Sequence, residues 1–330
     1  MKLIHIKNFG GPAELFITEA ERPRPGKGEA LVKIACAGVN FIDVYMRSGN
    51  YVRSNTYKTP LPMSLGMEGG GTVAELGEGV DGLVAGDRVA YCLSRGSYAE
   101  YAIVPAWRLV KIPDRLPLPV ATALMLQGST AHYLTHSAFA LEPSHTCLIH
   151  AGAGGVGQLL IQMAKLRGAA VITTVGSKEK ADIARARGAD HTILYRENAF
   201  REAVMDITGG KGVEVVYDSV GKDTIHHSIR SLKRRGLCIM YGASSGQVAA
   251  IEPLELAEAG SIFFTRPHLA DYTATAEEVR WRAADLFKAV EDGKLTVTID
   301  REFPLDYARQ AHELLEARGS KGKLLLRVDH

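Results

Sequence analysis

The sequence contains few cysteines, and they are far apart. Four cysteines occur in 330 residues, at Cys36, Cys92, Cys147 and Cys238, and none forms a CxxC pair. This spacing indicates neither a zinc ribbon nor a disulfide framework. The cysteine content therefore favours a protein of a reducing compartment.

Long apolar runs are also absent. No segment approaches the ~20 apolar residues that a membrane-spanning helix needs. The N-terminal MKLIHIKNFGG is interrupted by glycine before it could form the apolar stretch of roughly 7 to 15 residues that a secretory signal requires. We expect a cytoplasmic protein that does not insert into a membrane.

Neither sign of charge is in large excess. Lys and Arg total 39 against 37 for Asp and Glu, so no general attraction to nucleic acid or membrane surfaces follows. A short basic run at positions 233–235 is predicted to end a helix closed by Gly236, where cations favour the helix dipole. We expect a small-molecule partner and no nucleic acid.

The pattern of predicted elements changes along the chain. A length of 330 residues exceeds the ~250 to 300 residues at which single cores stop growing. Short strands separated by Gly and Pro come first, and strands that are continuous apolar runs then alternate with helices, which is typical of a parallel sheet. We expect a β-rich domain over 1–125, an α/β doubly wound domain over 126–266, and a return to the first domain over 267–330.

The α/β part contains enough strands for a full dinucleotide-binding sheet. The predicted strands are 146–151, 170–175, 192–195, 213–217, 237–241 and 261–265. The helix after the first strand has an apolar stripe at Val156, Leu159, Leu160 and Met163 that would pack on the sheet. Beyond the sheet, helices are predicted at 276–291 and 305–317, and a strand at 323–328.

A glycine-rich loop joins the first of these strands to its helix. The segment GAGGVG, with Gly152, Gly154, Gly155, Val156 and Gly157, satisfies G-x-G-x-x-G. The first glycine would permit the tight turn, the second would let a pyrophosphate approach the backbone, and the third would let helix and strand pack closely. Strand, loop and helix together predict dinucleotide binding.

The end of the second strand indicates which dinucleotide. An NAD enzyme places an acid there to bind the adenosine 2′-hydroxyl, whereas this chain has Gly176, Ser177, Lys178, Glu179 and Lys180. A hydroxyl and two ammonium groups would attract a 2′-phosphate. The sequence therefore favours NADPH, although Ser177 could simply cap the following helix.

Several long motifs resemble one family. They are GVNFIDVYMRSGNY, GMEGGGTVAELGEGVDGLVAGDRVAY, HAGAGGVGQ, VVYDSVG, GASSGQ and the late KGKLLL. Together they resemble the zinc-free quinone oxidoreductase branch of the medium-chain dehydrogenase/reductase superfamily, which includes ζ-crystallin. The resemblance implies a Rossmann doubly wound parallel sheet, a GroES-like β-barrel catalytic domain, a cofactor in the cleft between them and a homodimer.

The resemblance also implies that zinc is absent. The zinc alcohol dehydrogenases of this superfamily have a cysteine and a histidine where this chain has Asn40 and Met67. Neither residue offers the thiolate or imidazole that zinc usually takes, and the four-cysteine structural-zinc lobe is missing. No Tyr-x-x-x-Lys pair occurs either. We therefore expect no metal site.

The resemblance assigns candidate residues by matching motif. Its nicotinamide contacts fall on Asn40, Phe41, Asp43, Tyr45, Thr130 and Tyr133, its 2′-phosphate contacts on Ser177, Lys180 and Tyr195, and further cofactor contacts on Val220, Ser244, Ser245, Gly246 and Arg318. The loop glycines with Val156, and Gly176 after the second strand, complete the cofactor candidates. The catalytic and substrate-positioning candidates are Asn40, Asp43, Tyr45, Tyr51 and Thr130. Structural roles remain open, because Asn40 could bridge a turn, Asp43 could cap a helix, and the tyrosines could be ordinary half-buried aromatics.

The expected reaction is metal-free hydride or electron transfer from NADPH to a quinone. A hydroquinone anion has a phenolic pKa near ~10, so this substrate needs orientation more than acid catalysis. One alternative is an NADPH-dependent enal or enone reductase, for which Tyr45 or Tyr51 could supply a proton. Another, of a different class, is an RNA-binding or structural crystallin-like protein.

Overall fold

The computed structural model describes residues 1–329. The chain divides into unit 1, Met1–Ser129 with Thr273–His330, and unit 2, Thr130–Tyr272. The first stretch contains β1 (Lys2–Ile6), β2 (Phe16–Glu19), β3 (Glu29–Val39), α1 (Phe41–Arg47), β4 (Met63–Ser64), β5 (Glu68–Leu76), β6 (Arg88–Cys92), β7 (Tyr101–Pro105), β8 (Val110–Lys111) and α2 (Leu118–Tyr133), whose last residues enter unit 2.

The remaining elements follow in chain order. Unit 2 has β9 (Thr146–His150), α3 (Gly155–Leu166), β10 (Ala170–Val175), α4 (Lys178–Ala186), β11 (His191–Leu194), α5 (Phe200–Ile207), β12 (Val213–Asp218), α6 (Ile225–Ile229), β13 (Leu232–Met240), α7 (Pro253–Glu258) and β14 (Phe263–Thr265). Unit 1 resumes with α8 (Ala276–Glu291), β15 (Ile299–Pro304), α9 (Ala308–Glu316) and β16 (Lys323–Arg327).

Unit 1 is built on a largely antiparallel sheet of seven strands. The order is β15-β16-β3-β5-β6-β8, with β7 also paired to β3, and a smaller sheet has the order β2-β1-β4. The late strand β16 pairs with β3 so that Leu324 lies opposite Val39. This pairing places Lys323 beside the segment that leads into α1.

Unit 2 is a parallel sheet of six strands in the order β11-β10-β9-β12-β13-β14. All five strand pairings are parallel. The strands are apolar because both faces are covered: Leu148, Ile172 and Val216 are fully buried in one cluster. The expected Rossmann-type sheet is confirmed, and the carboxyl ends of its strands meet at one edge, where ligands bind in open α/β sheets.

One local prediction is wrong. The basic run at 233–235 lies within β13 and not at a helix end, since α6 already ends at Ile229. Leu232 is buried and pairs with Val213, so packing overrides the helical preference of the basic residues. Lys233 forms an ion pair of 2.6 Å with Glu214 on the neighbouring strand.

Two boundaries also differ from expectation. The helix predicted over 305–317 divides into a short 3₁₀ turn, Leu305–Tyr307, and α9. The strand predicted over 237–241 extends backward to Leu232. Within residues 1–329, no helix combines the length and apolar character needed to span a membrane.

Candidate functional site

The candidate residues of unit 1 gather at the start of α1. Asn40 follows β3 in an extended conformation and is the N-cap of the helix, and its backbone N–H donates to Asp43 Oδ2 at 2.9 Å. This contact satisfies the backbone N–H of the N-cap residue, which the helix itself leaves unpaired. The capping role considered for Asp43 is therefore part of its local structure.

The Asn40 side chain is held by two buried charged groups. Its Nδ2 donates to Glu68 Oε2 at 2.9 Å, and its Oδ1 accepts from Lys323 Nζ at 2.7 Å. Lys323 also donates to Glu68, whose other oxygen accepts the Leu126 N–H at 2.6 Å. Asn40 is 4% exposed, Glu68 0% and Lys323 1%, so water cannot replace these contacts.

Asp43 joins the two segments in which the zinc ligands of related enzymes would lie. Its Oδ1 accepts the Met67 N–H at 3.0 Å, and its Oδ2 accepts the Tyr98 hydroxyl at 3.3 Å. Burial raises the pKa of Asp43 to about 7, while the Asn40 N–H and the charge of Lys323 oppose this rise. Above that pH, Asp43 is an acceptor that ties α1 to the start of β5.

A chain of hydrogen bonds continues from Asp43 to α9. Arg47 can only donate, so His312 Nδ1 accepts from its Nη1 at 3.1 Å. His312 Nε2 then carries the hydrogen and donates to Tyr98 Oη at 3.1 Å. Burial, with the Arg47 guanidinium, lowers the pKa of His312 to about 3, and Arg47 Nη2 donates to Glu316 Oε1 at 2.7 Å.

Sequence reasoning missed most of these partners. Arg47, Glu68 and Lys323 were considered only as parts of the motifs GVNFIDVYMRSGNY, GMEGGGTVAELGEGVDGLVAGDRVAY and KGKLLL, and Tyr98 and His312 lie in no quoted motif. Lys323 and Asn40 are 283 positions apart along the chain. A charged residue in the otherwise apolar KLLL segment was the available signal, because a lysine is almost never fully buried unless it is paired.

This arrangement does not fit a zinc ion. Asn40 and Met67 stand at the two expected ligand positions, and Glu68 is already bonded to a lysine. Burial raises the pKa of the nearby thiols, Cys36 and Cys92, to about 12, so they remain protonated. No group of three His, Cys, Asp or Glu residues within 1–329 could hold a metal.

Four aromatic rings extend from α1 into the loop that follows. The ring centroids of Phe41 and Tyr45 are 5.9 Å apart, those of Tyr45 and Tyr51 5.7 Å, and those of Tyr51 and Tyr57 5.1 Å. Tyr45 and Tyr57 are buried at 8% and 7% exposure. Phe41, Tyr45 and Tyr51 are thus brought together, and Tyr57 is a further member that the sequence did not indicate.

The phosphate loop of unit 2 has the expected position between β9 and α3, with one correction. The left-handed residue of the turn is Ala151, at φ 56°, and not Gly152. Gly152 is required for space instead, because a Cβ there would lie 2.1 Å from Thr173 Oγ1. A Cβ at Gly157 would lie 2.3 Å from the Ala151 carbonyl oxygen, so this glycine lets the helix approach the strand.

The start of α3 presents the loop to an anion. Gly154 is its N-cap and makes no side-chain cap, and the helix begins with Gly155 and Val156. Its first N–H groups therefore lack side-chain partners from the cap, at the end of the helix whose dipole is positive. The loop fits a pyrophosphate, as the motif predicts.

The residues predicted at the 2′-phosphate lie just beyond β10 and β11. Ser177 is the N-cap of α4, and its Oγ accepts the Lys180 N–H at 3.3 Å. Tyr195 follows β11 and is 41% exposed, and a Cβ on Gly176 would lie 3.0 Å from its hydroxyl. Ser177 therefore caps a helix in addition to any role in binding.

The loop after β12 is organised by Asp218. Its Oδ1 accepts the backbone N–H groups of Val220 at 2.8 Å and Gly221 at 2.9 Å. The Thr224 hydroxyl donates to the same carboxylate, at 2.9 Å from Oδ1 and 2.7 Å from Oδ2. Its Oδ2 accepts the Ser228 hydroxyl at 2.7 Å. Asp218 is fully buried, so it fixes the backbone at Val220, one of the predicted cofactor contacts.

A buried histidine extends this network toward the phosphate loop. Because the Ser228 hydroxyl donates to Asp218, its oxygen accepts from His150 Nε2 at 2.9 Å. His150 Nδ1 then accepts from the Thr174 hydroxyl at 2.8 Å. Burial lowers the pKa of His150, so it remains neutral with the hydrogen on Nε2.

The GASSG segment is tied to the loop after β12. The Ser245 hydroxyl donates to the Val220 carbonyl at 2.7 Å and accepts the Asp223 N–H at 3.0 Å. The Ser244 N–H donates to Ser219 O at 3.1 Å, and Gly246 has φ 120°, which favours glycine. Ser245 therefore has a structural role.

The remaining predicted residues lie at the end of α2 and after α9. Thr130 and Tyr133 are on the last turn of α2, at 8% and 1% exposure, and Tyr133 stacks on Tyr272 with centroids 4.3 Å apart. Arg318 is exposed just after α9 and has φ 55°.

Comparisons with known proteins match both units. Residues 26–114 match the model of the alcohol dehydrogenase GroES-like domain, and residues 155–288 match that of the zinc-binding dehydrogenases. Quinone oxidoreductase 1 of Escherichia coli is 40% identical over 326 residues, covering 98% of both chains. A 2-haloacrylate reductase of a Burkholderia species is 40% identical over 328 residues, covering 98% of this chain and 97% of that one.

A solved structure agrees over the same extent. The Escherichia coli quinone oxidoreductase, crystallised in complex with NADPH, superposes with a TM-score of 0.95 at 39% identity, covering 99% of this chain and 100% of that chain. Identity of this degree over nearly the whole length shows the family. The chain belongs to the quinone oxidoreductase branch of the medium-chain dehydrogenase/reductase superfamily.

Proposed function

We propose that this protein is an NADPH-dependent quinone reductase that works without zinc. The observation that carries the proposal is the edge of the unit 2 sheet at the carboxyl ends of its strands, here called the cofactor edge. At this edge the glycine loop precedes α3, Ser177 and Lys180 follow β10, and Tyr195 follows β11. No acidic residue ends β10. The relative crystallised with NADPH supports the same cofactor.

Each part of this edge has a chemical task. The N-terminal N–H groups of α3 would bind the pyrophosphate, and Lys180 with Ser177 and Tyr195 would bind the 2′-phosphate. Asp218 would hold the loop at Val220 in position for the cofactor, with Ser244, Ser245 and Gly246 beside it. When bound, NADPH supplies the hydride or electron.

The unit 1 residues would bind and orient the acceptor. Phe41, Tyr45 and Tyr51 offer aromatic faces that suit a flat apolar quinone. Asn40 and Asp43 fix the start of α1, and Asn40 can donate to a quinone oxygen. A reduced quinone has phenolic basicity, pKa near ~10, so one weak donor or water completes the reaction.

A second candidate is reduction of a carbon–carbon double bond conjugated to a carbonyl or carboxylate. The 2-haloacrylate reductase at 40% identity favours it. This reaction must also protonate carbon, and Tyr45 or Tyr51 would then be the acid. Steady-state NADPH oxidation with 1,4-benzoquinone, an enone and 2-chloroacrylate separates the two. Turnover faster with either unsaturated substrate than with any quinone would contradict the quinone assignment.

Tyr45→Phe sharpens this comparison. If Tyr45 only orients a quinone, the variant should lose less than about tenfold in kcat, because loss of a general acid typically costs ~10²-fold or more. Tyr57→Phe, in the same aromatic group, is the matched control. A loss of ~10²-fold or more in Tyr45→Phe alone would assign Tyr45 as the acid and favour the second candidate.

Metal independence follows from the mismatch of Asn40, Met67 and the lysine-bound Glu68 with zinc. Purified protein should contain no stoichiometric zinc and should keep its activity in a chelator. Elemental analysis that finds one zinc per chain would overturn this part of the proposal.

The same proposal includes a homodimer in the cytoplasm. Strand β14 is at the edge of the unit 2 sheet, and Phe263 on it is 64% exposed, which is the kind of edge that pairing protects. Light scattering that gives a monomer at working concentration would contradict the dimer. The four buried, unpaired cysteines suit a reducing compartment.

RNA binding is not part of the proposal, because Lys233 of the basic run is paired with Glu214. Salt-dependent RNA binding that NADPH displaces would overturn this exclusion.

A further inference from the structure

The buried Lys323 and Glu68 restrict the side-chain amide of Asn40 to one orientation. Lysine has only donors and a carboxylate only acceptors. The Asn40 oxygen must therefore face Lys323, and its nitrogen must face Glu68, as the distances of 2.7 Å and 2.9 Å show. Turning the amide over would place donor against donor and acceptor against acceptor.

This restriction leaves one group of Asn40 for another partner. The second Nδ2 hydrogen is used by neither Lys323 nor Glu68, and it has no acceptor within the described range, residues 1–329. The Asn40 backbone N–H is already used by Asp43. The amide can thus offer a hydrogen to a ligand, whereas its carbonyl oxygen is occupied by the ammonium.

We propose that Lys323 and Glu68 are positioning residues that hold Asn40 as a hydrogen-bond donor to the oxygen of the acceptor being reduced. The proposal rests on the proposed function and names part of its specificity. A substrate oxygen that gains negative charge during reduction is stabilised by a preorganised donor and destabilised by a carbonyl oxygen. An amide that could turn over would present the substrate oxygen sometimes with its NH₂ and sometimes with its carbonyl oxygen.

The positive member of the buried ion pair, balanced by Glu68, lies beside a position at which the zinc enzymes have a metal ligand. The Lys323 ammonium lies next to Asn40, which stands at a ligand position of those enzymes. The ammonium acts through Asn40, because it donates to Asn40 and to Glu68. The ammonium therefore affects the reaction by fixing which end of the Asn40 amide faces the substrate.

The test uses the double variant Glu68→Gln/Lys323→Met. Removal of Lys323 alone would leave a buried carboxylate without its counter-ion, which often prevents folding, whereas the double variant removes both charges. The glutamine introduced at position 68 can still accept the Leu126 N–H with its oxygen, and its NH₂ then faces Asn40. The Asn40 amide should turn over and offer its oxygen to this NH₂, so its polarity is reversed in a protein that still folds.

We expect kcat with 1,4-benzoquinone to fall by about 10²-fold or more in the double variant, as for loss of one preorganised donor. The Kd for NADPH should stay within about twofold, because the cofactor edge in unit 2 is unchanged. Arg327→Met is the matched control: it removes an exposed cation from the same strand, β16, and should leave both quantities unchanged.

Non-additivity separates positioning from a purely structural role. If Lys323 and Glu68 act through Asn40, adding Asn40→Ala to the double variant should cost no further kcat. A double variant that melts within a few degrees of the wild type and keeps full kcat would overturn the proposal. The proposal would also be overturned if Asn40→Ala and the double variant each lowered kcat and their combination lowered it by the product of the two factors.

An independent measurement keeps this proposal distinct from the proposed function. In protein labelled with ¹⁵N-asparagine, the Asn40 side-chain NH₂ signal, identified by its loss in Asn40→Ala, should include one hydrogen that exchanges slowly with water. That protection should disappear in the double variant. If the wild type reduces no quinone but shows this protection, the proposed function is refuted and the fixed orientation of the Asn40 amide is retained. If the Asn40 signal is unprotected, the fixed orientation itself is refuted.

Discussion

Asp218→Asn should reverse the direction of a buried hydrogen-bond chain in unit 2. In the wild type, Asp218 accepts from the N–H groups of Val220 and Gly221 and from the hydroxyls of Ser228 and Thr224. Asparagine keeps one acceptor oxygen and gains a donor NH₂. Backbone N–H groups cannot turn, but a hydroxyl can, so the new amide oxygen should face the backbone and the new NH₂ should face Ser228.

The reversal should propagate to His150. Ser228 would then accept from the introduced amide and donate to His150 Nε2, which would lose its hydrogen. His150 would carry its hydrogen on Nδ1 and donate to Thr174, the group from which it now accepts at 2.8 Å. The predicted result is a change of tautomer at a residue that is linked to position 218 through the Ser228 hydroxyl.

The energetic cost follows from the loss of charge on two backbone contacts. Hydrogen bonds to charged groups contribute about 1.5 to 3 kcal/mol and neutral ones about 0.5 to 1.5 kcal/mol, so two weakened bonds cost about 2 kcal/mol in the free energy of unfolding. The Thr174 hydroxyl, which now donates to His150, would lose this acceptor, and a buried donor without an acceptor costs a further ~1 to 3 kcal/mol. The total cost should therefore lie between about 2 and 5 kcal/mol. NADPH affinity should fall because the backbone at Val220 is less firmly held.

Two-bond ¹H–¹⁵N correlation spectra of the histidines distinguish the two tautomers. Ser228→Ala is the control, because it removes the connecting hydroxyl and should uncouple His150 from position 218. If His150 keeps its Nε2 hydrogen in a folded Asp218→Asn variant, the assigned direction of the chain is wrong.

Three further results are expected. Gly157→Ala should lower the melting temperature clearly more than Gly154→Ala, because its Cβ would lie 2.3 Å from a backbone oxygen against 3.2 Å; equal melting temperatures would contradict this. Lys180→Ala should weaken NADPH binding by about 1 to 3 kcal/mol and leave NADH binding nearly level, and equal losses in titrations of both cofactors would refute the assignment. His312→Gln should resist acid better than the wild type. Because the folded-state pKa of His312 is about 3 and its ordinary value 6.5, the unfolded chain alone takes up this proton as the pH falls below 6.5. In urea unfolding, the free energy of unfolding of the wild type should fall by up to about 1.4 kcal/mol per pH unit relative to that of the variant. If the two free energies change in parallel with pH, this prediction is refuted.

Regular features of the fold were predictable because they repeat locally. The six strands of unit 2 are apolar runs, and the glycine loop has a fixed spacing, so both follow from short windows of sequence. The basic run at 233–235 was misassigned because its fate depends on Leu232, which is buried against Val213 on another strand. Local preference cannot report such pairing.

The candidate site shows the same limit more clearly. Asn40 and Asp43 were identified from their motif, but the groups that fix them, Lys323 and Tyr98, come from distant parts of the chain. Ser245 was predicted as a cofactor contact, and only the fold shows that its hydroxyl joins two loops. Sequence indicates which residues are chemically suited to a site, whereas long-range pairing decides how each is oriented.

The pairing of β16 with β3 has a consequence for synthesis of the chain. Unit 2 is one continuous stretch, Thr130–Tyr272, so the ribosome completes it before Lys323 and His312 exist. Domains generally fold as they emerge, so a nascent chain can hold a finished phosphate loop while Asn40 still lacks Lys323. Each molecule should therefore bind its cofactor before it can catalyse the reaction. A chain arrested before residue 323 would bind NADPH without oxidising it.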